Sequence, residues 1–322
     1  MGQVAANLPK EYQMQVLPES IDFVIPGFKR DYVPGSVKTL ALRKRDSEQW
    51  FDEFVDRLIN ASGRKFLPVC RMSDGEFLFL LGEQPLDIRL SFVQKLRQKL
   101  SRFKWQLLLG GGLAPHTVGH YHSGEYTAEE WSKARMEYPQ MMRKISQKGI
   151  IAWHLNYTNV PFQERYFPAL AVWLQENDIV LSDDNYYPFY FVYALFAGPR
   201  RGELLKDRRV LVVNGAQGEH RRKIIEGLMR EGVSEVFWCS ISLKRSLYDS
   251  VDMCSFVGKV DLALVGAGIG KANILLQMEP LNVPCIDAGY IFEVWADPKN
   301  KWDRVICASD EDWEKVTVNN GS

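Results

Sequence analysis

The order of the hydrophobic patterns constrains this chain most. From about residue 46 onward, short apolar runs alternate with segments of helical period. Asp46 and Gln49 form a capping-box pattern ahead of Trp50, Phe51, Phe54 and Leu58, which predicts a helix over 47–61. A strand is expected at Phe66–Arg71, then a loop and helix over 72–81, a helix over 87–103 and a strand at 106–109 that ends in Gly110-Gly111-Gly112. Thr127 and Glu130 cap a helix to about 147, followed by a strand at 150–155. Beyond it the reading is helix 167–177, strand 178–182, helix 187–197, strand 209–213, helix 217–231, strand 235–239, strand 261–265, helix 271–279 and strand 283–286. Strands alternating with helices build βαβ units, hence an α/β fold with a mostly parallel sheet and helices on both faces. Ligands of such sheets bind beyond the carboxyl ends of the strands, so the residues that follow each strand are the ones to search.

Composition narrows the function. The 322 residues carry 40 Lys+Arg against 40 Asp+Glu, whereas a dedicated nucleic-acid binder normally shows a basic excess. Hydrophobic residues make up 46% and charged ones 25%, values of a globular protein and not of a disordered one. The five cysteines (Cys70, Cys239, Cys254, Cys285, Cys307) form no CxxC pair, which excludes a zinc ribbon and points to reduced thiols in a cytoplasmic setting. Residues 1–12 have no apolar core of a secretory signal, and Ala6 stands where myristoylation wants Ser or Thr. The longest apolar stretch, 188–199, is too short to span a bilayer, so membrane association would be peripheral. Residues 1–45, rich in Pro and mixed charge, read as an extended arm.

Four segments could carry chemistry. In the first, Arg71-Met-Ser-Asp-Gly-Glu76, a strand ends and two carboxylates flank one glycine. Asp74 and Glu76 could converge on Mn²⁺ or Mg²⁺, hard cations that take oxygen ligands, while Arg71 opposes a phosphate. They could equally cap the helix and complement its dipole. In the second, Asn214-Gly215-Ala216-Gln217-Gly218 leads a strand into a helix, an anion cradle or simply a tight turn. In the third, Gly266, Gly268 and Gly270 follow a strand and Lys271 begins a helix, with Asp287 about 20 residues on in the position of a ribose-binding acid. This is a GxGxG pattern, a partial dinucleotide fingerprint, and Lys271 is either a phosphate contact or a surface lysine. In the fourth, Asp287 and Glu293 flank the Gly289-Tyr290 turn, and either could be a general base on an acceptor hydroxyl.

Three further groups are weaker. His116, His120 and His122 suit a substrate-contacting loop better than a metal site. Asp183 and Asp184 read as helix caps or as site lining. Arg200, Arg201, Lys206, Arg208 and Arg209 form a solvated face or a contact for an anionic lipid-linked acceptor.

Arg71-Met-Ser-Asp-Gly-Glu-Phe is similar to the R-x-G-D-G-E signature of the GT-D type glycosyltransferases. Ile286-Asp-Ala-Gly-Tyr-Ile-Phe-Glu-Val-Trp295 resembles that family's I-D-x-G-H-x-x-x-E-Y-x-W ending, and Leu264–Gly270 its G-P-T turn. Ser73 replaces a family Gly, Tyr290 a family His, and Glu293 arrives one residue early. The resemblance implies one Rossmann-like domain, here 46–305, between the arm and a tail at 306–322. It also implies a nucleotide-diphosphate sugar donor, UDP-sugars favoured, with a divalent metal tied to Asp74 and Glu76, and a glycan or lipid-linked acceptor. Arg71, Asn214, Gly215, Gly266, Gly268 and Lys271 would hold the donor, and Asp287 or Glu293 would assist the acceptor. The competing expectation is an NAD- or S-adenosylmethionine-dependent Rossmann enzyme built on Gly266–Gly270 and Asp287.

Overall fold

The computed structural model describes residues 19–22, 24–28, 38–80, 126–153, 173–304 and 306–319. The elements expected at 87–103 and 106–109, the glycine triplet 110–112 and the histidines 116–122 lie outside the described residues.

Among the described residues, seven parallel strands form one sheet: β3 (Leu67–Met72), β4 (Ile150–Trp153), β5 (Tyr186–Pro188), β6 (Arg209–Asn214), β7 (Glu235–Ser240), β8 (Leu262–Gly266) and β9 (Pro284–Asp287). Their order across the sheet is β5-β4-β3-β9-β8-β6-β7. The chain winds outward from β3 to β5, crosses to β6 and β7, and returns through β8 to lay β9 beside β3. The first and last strands of the sheet are therefore neighbours at its centre. Burial on both faces explains the unbroken apolar runs Leu262–Val265 and Val210–Val213.

One face carries α2 (Asp74–Leu80), α3 (Ala128–Lys148) and α7 (Lys271–Gln277), with α7 against α3 and β3. The other carries α1 (Ser47–Ala61), α4 (Tyr190–Ala197), α5 (Arg201–Leu205), α6 (Gly218–Arg230) and α8 (Ile291–Ala296), with α6 along α8. The fold is α/β and Rossmann-like. α1 begins where Asp46 accepts from the Gln49 amide, and α3 begins at a full capping box between Thr127 and Glu130. Trp50, Phe54, Tyr187 and Phe191 form the aromatic seam between α1, β5 and α4. α9 (Asp310–Asn319) closes the described chain.

Two local features depart from the sequence reading. Within the segment read as an extended arm, β1 (Glu19–Asp22) pairs antiparallel with β2 (Lys38–Ala41). This ribbon is pinned by the Tyr186 hydroxyl donating to the Leu40 carbonyl at 2.7 Å and by Ser47 Oγ bridging Val24 N and O. Buried Ile21, Ile25, Phe28 and Leu40 attach it to the core. The strand expected at 178–182 falls instead at Tyr186–Pro188. The Asn185 amide donates to the carbonyls of Val180 and Ser146 and its oxygen accepts from Ser182 N, which holds residues 180–182 as irregular chain ahead of the turn at 183–185.

Candidate functional site

The carboxyl ends of β3 and β9 bring two acids and two bases together. Arg71 comes from β3, Glu76 from α2, Lys271 from the first position of α7 and Asp287 from the end of β9. Arg71 Nε donates to the Asp287 carbonyl at 2.6 Å and Nη2 to Asp287 Oδ1 at 3.2 Å. Lys271 Nζ stands 2.6 Å from Glu76 Oε1 and 3.2 Å from Asp287 Oδ2. The second Glu76 oxygen accepts from Ser73 N at 2.8 Å and from Ser73 Oγ at 2.9 Å, which caps α2. All four residues are buried, Asp287 at 2% and Lys271 at 4% exposure.

Burial works to lower the pKa of Lys271, but the Asp287 and Glu76 carboxylates outweigh it and the net direction is up. The same contest, won mainly by Asp287, raises Arg71. Both bases are cations in the fold, so the group is neutral as a whole. The Arg71 guanidinium also lies over the rings of Phe189 and Tyr193, 5.0 and 4.6 Å from their centroids. Buried Cys70 lies under the group, and burial raises its pKa, so it is an inert thiol.

Asp74 opens α2, and its side chain lies outside the described residues. The expected metal site thus depends on Glu76, whose oxygens are both engaged by Lys271 and Ser73. Among the described residues, no group of three or more His, Cys, Asp or Glu is arranged to hold an ion. Among the described side chains, Glu76 and Asp287 face the Lys271 ammonium.

The glycine turns are filled largely by the chain's own atoms. A Cβ on Gly215 would lie 2.7 Å from the Leu243 Cα, and one on Gly266 would meet Asn214 Nδ2 and the Phe292 ring. One on Gly270 would meet the Ser246 backbone. Gly268, at φ +50° with open space around it, is the glycine of this loop that leaves room beside its backbone. The Asn214 side chain accepts from Ala216 N at 2.7 Å and so shapes the β6–α6 turn itself. Asp287, expected as a ribose-binding acid or general base, is closed off between Arg71 and Lys271.

Glu293 is placed differently. It sits in the first turn of α8, 44% exposed, with its Oε1 3.2 Å from His220 Nε2 of α6. His220 escaped the sequence reading; the available signal was its position just after the β6 glycine turn, where a parallel sheet presents side chains to ligand. Gly289 was read only as part of a turn, although it makes room for Arg71.

The basic cluster is not at this end of the sheet. Arg209 begins β6, and Arg200 and Arg201 follow the carboxyl end of α4. Arg200 pairs with Asp52, Asp56 and Glu203, Arg201 with Glu231, and Arg209 with Asp261. Asp183 pairs with Arg43 at 2.6 Å, and the Asp184 carbonyl accepts from Arg57, so both bind the surface together away from the four-charge group.

No protein-family model and no curated protein matches the chain. A solved structure described as the selenomethionine-substituted structure of domain of unknown function 1792 (DUF1792) is similar over 76% of this chain and 85% of that one, at 17% identity and a TM-score of 0.41. No helix among the described residues is long and apolar enough to cross a membrane. The Rossmann-like assignment stands on the seven parallel strands and their order.

Proposed function

We propose that this chain is a glycosyltransferase that moves a sugar from a nucleotide-diphosphate donor, UDP-sugars first, to a hydroxyl of a glycan or lipid-linked acceptor. One observation carries the reading: residues of the two signature-like segments, Arg71 and Glu76 from one and Asp287 from the other, meet at the carboxyl ends of adjacent central strands. The loops after β6 and β8 lie at the same ends of neighbouring strands, and Gly218 and Gly268 leave open space in them that suits a diphosphate. The five free thiols are in keeping with a cytoplasmic setting.

In the reaction, the bond from the sugar's anomeric carbon to the diphosphate oxygen breaks and its electron pair leaves with that oxygen. The acceptor oxygen bonds to the anomeric carbon and gives up its proton. Glu293, half-exposed and oriented by His220, is the better receiver of that proton, because the Asp287 oxygens face Lys271 and Arg71. Arg71 and Lys271 contribute by holding the ends of β3, α2, α7 and β9 in one arrangement, and no step is routed through a metal.

The test is a thermal-shift screen against nucleotide diphosphates, followed by donor turnover. UDP or a UDP-sugar is expected to raise Tm. Failure of every nucleotide diphosphate to stabilise the protein would sink the reading.

A further inference from the structure

We infer that Lys271 is the resident cation of this site, and that the Glu76–Asp287 carboxylate pair is built for its ammonium and not for a divalent metal. The inference rests on the reading of the site as a nucleotide-sugar site, where a divalent cation would be expected between the strand-end acids.

The distances make the case. Nζ bridges the two carboxylates, 2.6 Å from Glu76 and 3.2 Å from Asp287, in a space closed to solvent. Mg²⁺ would ask for oxygens at about 2.0–2.1 Å, in an octahedron completed by waters. Glu76 has no oxygen to spare, since Ser73 holds the other one. Charge points the same way. Arg71 and Lys271 already balance Glu76 and Asp287, so a divalent ion would add two positive charges to a buried neutral group, and the D-G-E spacing supplies at most one more carboxylate.

Lys271 is also in an electrostatically awkward place. It opens α7, where the helix dipole disfavours a cation. Gly270 fixes that start by packing against the Ser246 backbone, where a Cβ would collide. The two carboxylates that face it there are the partners this buried ammonium has across the strand ends.

The decisive measurement is Mn²⁺ titration of the full chain followed by electron paramagnetic resonance, alone and with UDP. The wild type is expected to bind no stoichiometric Mn²⁺ in either condition, and any Tm rise from UDP is expected to be the same in Mn²⁺ and in EDTA. Stoichiometric Mn²⁺ in the wild type, with or without UDP, overturns the inference. Lys271→Ala removes the ammonium and leaves both acids, so it is expected to gain a Mn²⁺ site that the further change Glu76→Gln removes. A folded Lys271→Ala protein that gains none also overturns the inference. If Lys271→Ala does not fold, the wild-type titration decides alone. Absence of any UDP stabilisation would remove the glycosyltransferase reading, and the Mn²⁺ titration would still decide the role of Lys271.

Discussion

The guanidinium of Arg71 fills the space that a side chain at residue 289 would need. A Cβ built on Gly289 overlaps Arg71 Nη2 and lies 2.7 Å from its Cζ, and Gly289 itself has φ +50°. The Ala288-Gly289-Tyr290 turn after β9 and the arginine next to the end of β3 are therefore one packing unit. Gly289→Ala is expected to cost more than about 2 kcal/mol, from the left-handed backbone and the displaced guanidinium together. In a double-mutant cycle with Arg71→Ala the two changes should couple by at least ~1 kcal/mol in urea denaturation. Strict additivity would show that the two residues do not compete for that space.

Arg71→Met keeps apolar bulk but leaves Asp287 without its guanidinium partner in a buried site. Breaking a buried pair from one side costs about 3–5 kcal/mol, and that loss is expected here in equilibrium unfolding. Arg222→Ala, which removes ion pairs to Glu219 and Glu226 on the solvent face of α6, should cause no comparable loss.

Glu293 and Asp287 should separate by readout. Glu293→Gln is expected to lower kcat by roughly 10²–10⁴ while the Tm rise caused by donor remains, because its side chain is half-exposed and its ion-pair partner His220 is half-exposed too. Asp287→Asn should lower stability first, since it unbalances Arg71 and Lys271. A Glu293→Gln enzyme with unchanged kcat would remove Glu293 as the proton acceptor.

Two helical glycines should respond in opposite directions. A Cβ on Gly227 of α6 would run into the Trp295 carbonyl of α8, so Gly227→Ala is expected to cost about 1–3 kcal/mol. Gly202 of α5 has nothing within 4 Å of its Cβ position, and Gly202→Ala should stabilise by up to ~1 kcal/mol. Thermal melts of the two variants decide it.

Acid stability should depend on Asp261. Arg209 donates to it through the guanidinium and, less strongly, through the backbone amide, which holds the Asp261 carboxyl below its usual 3.8 against the opposing effect of burial. A carboxyl lowered in the folded state adds stability that is complete above its unfolded value and is lost as pH falls through the lowered one. The contribution is thus present at neutral pH and disappears below about pH 4. Asp261→Asn should flatten the fall of Tm in that range, and an unchanged acid limb would count against the assignment.

The alternation of strand and helix was legible because burial on both faces of a parallel sheet demands unbroken apolar strands, and capping residues such as Asp46 and Thr127 mark helix starts by local hydrogen bonds alone. Asp74, Glu76, Lys271, Asp287 and Glu293 stood out as residues following strands, since that property too depends only on chain order. The strand at Tyr186–Pro188 and the β1–β2 ribbon were not legible, because strands depend on partners remote in sequence.

Partnership inside the site has the same character. From sequence, Lys271 was a phosphate contact or a surface lysine, and Asp287 a base or a ribose ligand. Tertiary structure decided that they face each other, because laying the last strand beside the first brings residues 71 and 287, more than two hundred positions apart, to one strand end. A charge is visible in the chain, but its partner, and so whether it is free to act, depends on which strands lie side by side.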